Sequence, residues 1–148
     1  MQNPPPNQPV GTESNVAIDD SKAKTGLGLD ANLGAALGYP VAILAIVVFV
    51  MEKTNRFARF HALQSILFHV VAVVLFIVVT IVLGILTVVV SMISNSLGFI
   101  VGILIWLIVM VLILAYIGAL IFCAVKAYGG KSFKLPIAGN MAEKIINK

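Results

Sequence analysis

Between Phe60 and Val125 the chain runs for 66 residues without a single Asp, Glu, Lys or Arg. A second uncharged run extends from Ala31 to Met51. A helix needs about 20 such residues in a row to cross the hydrocarbon core of a bilayer. Composition agrees: 60% of residues are hydrophobic and 11% charged, against roughly 45–50% and 25% in a soluble domain. The chain cannot build a water-compatible surface along most of its length, and 148 residues suffice for one domain. It reads as a small integral membrane protein.

Residues 1–28 have the composition of a disordered tail. Pro4, Pro5, Pro6, Pro9, Gly11 and Ser14 stand among Gln and Asn with little to bury. No basic start leads into an apolar core, so the segment is not a secretory signal. Glu13, Asp19 and Asp20 argue against an organelle transit peptide. The first spanning helix is expected at about 31–51, with Asp30 as N-cap and Pro40 as a kink or late start. In the long run, Ser94-Asn95-Ser96 is the one good turn signal, which splits it into helices near 62–93 and 97–125. Both exceed the hydrocarbon thickness, so tilt or protrusion is expected. Gly129-Gly130 should end the third helix. Asn140 followed by Glu143 resembles a capping box, so a short helix is expected at 141–147, with Met141 and Ile145 on one face to rest on the membrane.

The expected fold is therefore all-α: a bundle of three transmembrane helices within residues 29–128, and an amphipathic C-terminal segment over residues 129–148. Charge sets the orientation. Lys53, Arg56 and Arg59 follow the first run; Lys126, Lys131, Lys134, Lys144 and Lys148 follow the last. With three spans these eight basic residues share one side, the cytoplasmic side by the positive-inside rule, and the N-terminus lies outside.

Three stretches carry a family resemblance: Gly28-Leu29-Asp30-Ala31-Asn32, the block from Glu52 to Ser65 with its Arg56-Phe57-Ala58-Arg59-Phe60-His61-Ala62-Leu63-Gln64-Ser65 core, and Lys126-Ala127-Tyr128 with Lys134 to Asn140 and Ala142-Glu143-Lys144. Over roughly residues 26–146 the chain resembles the Tic20-like family of small prokaryotic membrane proteins (DUF4870). The resemblance implies a cytoplasmic-membrane protein with plastid relatives in the inner-envelope protein import translocon.

The densest candidate site is Arg56, Phe57, Arg59, Phe60, His61 and Gln64, joined by Lys131 and Lys134. Arg binds phosphate in a bidentate fork while Phe anchors in the acyl region. The cluster reads either as a topology signal with an interfacial anchor, or as a recognition site for anionic lipid or a partner protein. On the second helix, the one near 62–93, His61, Ser65, His69, Thr80, Gly84, Thr87 and Ser91 fall within about 100° of arc. Such a stripe should face other helices as packing glue. The alternative is a proton or transport path through His69, the one ionisable group well inside the span. Gly34, Gly38 and Ala42, and Gly98 and Gly102, repeat every four residues and are expected at close helix contacts.

No Asp or Glu lies in the spans, and no nucleophile–base set, phosphate loop, metal-ligand cluster or haem motif is visible. The single Cys123 cannot form an internal disulfide. The sequence thus points to a non-enzymatic structural or assembly component without catalytic residues, cofactor or metal. Its expected partners are anionic lipid headgroups and other membrane proteins or further copies of itself, not nucleic acid. A channel or translocation subunit is the alternative, as the plastid relatives suggest.

Overall fold

The computed structural model describes residues 20–146; expectations for residues 1–19 and 147–148 lie outside the described residues. From Ala31 onward, five helices follow one another among the described residues: α1 (Ala31–Leu37), α2 (Ala42–Met51), α3 (Arg56–Ile93), α4 (Asn95–Tyr128) and α5 (Ala138–Ile146). Among the described residues there is no strand, only an isolated bridge between Lys24 and Asp30.

Among the described residues two helices, α3 and α4, are long and apolar enough to cross a membrane. They form an antiparallel hairpin closed at Ser94. A Cβ on Gly98 would lie 2.8 Å from the Ser91 Cα, and one on Gly102 would lie 3.8 Å from Thr87 Cγ2. Glycine at 98 therefore lets the two backbones meet next to the turn. Further along, Phe68 stacks on Tyr116 at 5.4 Å.

The uncharged run 31–51, expected as one spanning helix, is not continuous. It is interrupted at Tyr39-Pro40 and folds back on itself, so α1 and α2 are antiparallel. Gly38 lies against Ala45, Gly34 against Val48, and Gly26 against the Met51 carbonyl. Helices of 7 and 10 residues rise only about 10 and 15 Å at ~1.5 Å per residue, too short to cross a bilayer of about 30 Å. Pro40 supplies no amide hydrogen, and the Ser65 hydroxyl donates to the Gly38 carbonyl at 2.7 Å, satisfying an acceptor freed by the break.

This folded-back pair packs on the start of α3 and the end of α4, where the core lies. Ala31, Ala35, Ala36, Tyr39, Val48, Phe57, Ala58, Ala62, Cys123 and Ala127 form one buried cluster. Six of these ten are alanines, which lets four helix ends approach closely. The cluster, the N-terminal segment 20–30 and the C-terminal segment make a compact head. Beyond it the hairpin stands alone, with Val88 61%, Met92 84%, Phe99 71% and Val111 64% exposed.

Several local details differ from the sequence reading. Residues 20–30 are folded onto the head: Ser21 and Thr25 are buried, and the Ala31 amide donates to the Ala23 carbonyl at 2.9 Å. Asp30 occupies the N-cap position of α1 without a capping bond, and its carboxylate pairs with Lys24 at 3.1 Å. The capping box expected at Asn140 does not form. Helix α5 already begins at Ala138; Asn140 donates to the Pro136 carbonyl at 2.6 Å, and Glu143 pairs with Lys134 at 2.6 Å.

Candidate functional site

The head is tied together by two polar nodes. The first is built on Glu52, whose side chain is 2% exposed. Its Oε2 accepts from the Gly26 amide at 2.7 Å. Its Oε1 accepts from the amides of Thr54 and Asn55 at 2.9 and 2.8 Å and from the Thr54 hydroxyl at 3.0 Å. Burial by itself would raise the carboxyl pKa, but these donors outweigh it and hold it at about 2. Asn55 continues the node. Its side chain caps α3 by accepting from Ala58 at 2.9 Å and donates to the Asp20 carbonyl at 2.6 Å.

The second node lies among α1, α3 and the C-terminal segment. Gln64 donates to the Tyr39 oxygen at 2.7 Å and to the Phe133 carbonyl at 3.1 Å, and accepts from the Leu135 amide at 3.2 Å. One side-chain amide thus imitates a strand partner for residues 133–135. Because Gln64 donates to Tyr39, the Tyr39 proton is free to go to His61 Nδ1, 3.0 Å away. That assigns the imidazole hydrogen to Nε2. The Nε2 is buried beside the Lys131 backbone without closing a hydrogen bond of good geometry. Phe57 and Phe60 pack edge-on to the ring, with centroids 4.6 and 5.2 Å away. Gly139 is needed at the start of α5, since a Cβ there would lie 2.6 Å from Gln64 Oε1 and 2.9 Å from Lys134 Cα.

The candidate residues at the membrane entry are therefore split. Phe57, His61 and Gln64 are buried inside the head. Arg56, Lys131 and Lys134 are exposed, and Arg59 and Phe60 are half-buried. The Arg59 guanidinium lies over the Phe49 ring at 5.5 Å and reaches the Lys53 carbonyl at 3.4 Å. The polar stripe divides too. His61 and Ser65 belong to the head. His69 sits at its upper edge, with Nδ1 bonded to the Ser65 carbonyl at 2.8 Å and its ring edge-on to Tyr116. Thr80 is exposed and returns its hydroxyl to the Phe76 carbonyl at 2.7 Å. Thr87 and Ser91 bond back to Leu83 and Thr87 in the same way. With Gly98, Gly102 and Trp106 they line a cavity of about 410 Å³ near the turn. Gly34 and Gly38 serve the fold-back of α1 on α2, and Ala42 opens α2.

Sequence reasoning missed Glu52 and Tyr39 as organising residues. A buried carboxylate in a tight loop and a tyrosine beside a proline carry no motif, and their partners lie far away in sequence. Among the described residues no group of three or more His, Cys, Asp or Glu is placed to hold a metal ion. All nine described Lys and Arg residues lie in the head, from Lys22 to Lys144, and none lies on the hairpin between His61 and Val125.

A compact polar head on an exposed apolar hairpin defines a small helical membrane protein. Over residues 24–142 the chain matches the magnetosome magnetite crystal formation protein family, and it belongs to that family. It is similar to a UPF0132 membrane protein of Methanocaldococcus jannaschii, with 33% identity over 82% of this chain and 93% of the relative. A UPF0132 membrane protein of Archaeoglobus fulgidus is 34% identical over 78% of this chain and 94% of the relative. No solved structure matches the chain significantly. These findings overturn the resemblance to the Tic20-like family. The alternative of a channel or translocation subunit, which rested on plastid relatives, loses that support.

Proposed function

We propose that this protein is a non-enzymatic structural component of a membrane, held by the α3–α4 hairpin with its head at the cytoplasmic face, and that it acts through lipid and through lateral association. The observation that carries the reading is the fold-back at Tyr39-Pro40. It brings Gly26 beside Glu52, so the N-terminal segment, the 52–55 loop and the C-terminal segment share one side. Two spans then replace the three expected, and the N-terminus moves from outside to inside. This placement puts every described basic residue on one side of the bilayer, as the positive-inside rule favours. Exposed Lys53, Arg56 and Lys131 meet anionic headgroups there, at about 1 kcal/mol per residue near the surface.

Structural work is further supported by how the polar groups are used. Glu52, Asn55, Gln64 and Ser65 are engaged in holding the head together, while the lateral faces of α3 and α4 are left for lipid or other helices. His69 is engaged in local bonding, in keeping with packing. The family description, magnetite crystal formation, fits a component that organises the membrane around a mineral. Reporter fusions before Asp20, at Asn95 and after Lys148 test the arrangement. Inside, outside, inside is expected; an outside N-terminus with an inside C-terminus restores the three-span reading. Co-purification in mild detergent tests association. A strictly monomeric protein that retains neither anionic lipid nor protein would defeat the structural proposal.

A further inference from the structure

The two ends of the molecule differ in width. At the head end, α1, α2 and α5 surround the start of α3 and the end of α4; at the Ser94 end only α3 and α4 remain. The extra helices are not clothed for water. Ile43 is 72% exposed, Val50 58% and Ile145 49%, and Ile46 and Met51 are also open. The same end carries every described basic residue. Apolar side chains among cationic ones fit the boundary between anionic headgroups and acyl chains, and binding of that kind depends on curvature. The depth follows from α3. Ser65, which holds the Gly38 carbonyl at the tip of the α1–α2 pair, lies nine residues along α3 from Arg56, about 14 Å at ~1.5 Å per residue. With Arg56 at the headgroups, the pair therefore passes through the headgroup layer to the upper acyl chains of one leaflet.

We infer that the protein is a one-leaflet wedge: the α1–α2 pair and α5 insert among the lipids of the head-side leaflet, so the protein gathers where that leaflet is convex. Its occupant is the anionic headgroup and upper acyl layer of that leaflet, chosen by the basic residues at the same end of the molecule. The reason is areal. The head displaces more lipid from its own leaflet than the bare hairpin displaces from the other. A membrane bent with the head side outward has room for that excess, and one bent the opposite way does not.

The wedge rests on the two-span reading, and one experiment separates the two. Full-length fluorescent protein is reconstituted into giant vesicles of phosphatidylcholine and phosphatidylglycerol, and thin tubes are drawn from them. Protease access to tags at both termini reports orientation in the same vesicles. Protein with its head outward should be denser in the tube than in the vesicle wall; protein with its head inward should be sparser. A triple variant, Ile43→Gln, Ile46→Gln and Val50→Gln, alters only exposed or half-open positions and should sort less strongly. Val111→Ala on the hairpin should sort as the parent does. Termini on opposite sides overturn both the two-span reading and the wedge. Termini on the same side with equal density in tube and wall, or with the triple variant sorting like the parent, overturn the wedge alone.

Discussion

Glu52 is a carboxylate that the fold uses as an anion. Four donors converge on it, and its pKa falls from 4.5 to about 2. A carboxyl depressed by folding adds stability above its unfolded pKa, and that contribution is lost as the pH falls through the folded value. Thermal melts in detergent should therefore weaken progressively from about pH 4.5 towards pH 2. Glu52→Gln should be less stable at neutral pH by about 1–3 kcal/mol, because its amide nitrogen faces a backbone donor, and should lose less on acidification. Gln64 is the second such residue. Gln64→Leu leaves the Phe133 carbonyl and the Leu135 amide without their partner, at about 1–3 kcal/mol for each group that water cannot reach. Limited proteolysis should then cut faster within residues 131–137. Neither role was legible in the sequence. The block around Arg56 stood out by its composition, yet which of its members turn inward depends on Tyr39 and on residues 133–135, 25 and about 70 positions away.

Among the elements, the two long helices and the short C-terminal helix were legible, and the folded-back pair α1–α2 was not. Hydropathy measures how many apolar residues follow one another; it was the polar turn signal Ser94-Asn95-Ser96 that divided the long run where the chain does reverse. Hydropathy cannot see a reversal inside an apolar run. Gly38-Tyr39-Pro40 is also a turn sequence, but 21 uncharged residues around it have the length of a span, and the length prevailed. Gly98 and Gly102 face Ser91 and Thr87 of α3, whereas Gly34 and Gly38 meet Val48 and Ala45 of α2 within the same uncharged run. The contact at Gly98 makes a sharp test. A Cβ there would meet the Ser91 Cα at 2.8 Å as well as its side chain, so trimming Ser91 to Ala cannot make room. Gly98→Val should splay the closed end of the hairpin, by about 1–3 kcal/mol of overpacking. Spin labels at Ile93 and Leu97 should report a longer or broader distance, unrelieved by Ser91→Ala.

The whole molecule is longer than the membrane it occupies. From Phe60 to Ile93, α3 carries 34 residues without a charge, about 51 Å at ~1.5 Å per residue, against about 30 Å of hydrocarbon and 40–45 Å with headgroups. Two arrangements accommodate the excess. An upright hairpin would lift the head into water together with the open faces of Val70, Val73, Ile121 and Val125. A tilted hairpin keeps those faces among lipids and sets the basic residues at the headgroups. Apolar surface in water costs roughly 25 cal/mol per Å², and tilting costs only fractions of a kcal/mol per Å of mismatch, so tilt should win. Fitting about 51 Å into 40–45 Å requires an inclination of roughly 30–40°. Polarised infrared spectroscopy of oriented bilayers should find the helices inclined by that amount, and the inclination should fall as acyl chains are lengthened. Helices that stay near the bilayer normal at every thickness would mean that the head stands in water, with its apolar faces covered by other chains instead of lipid.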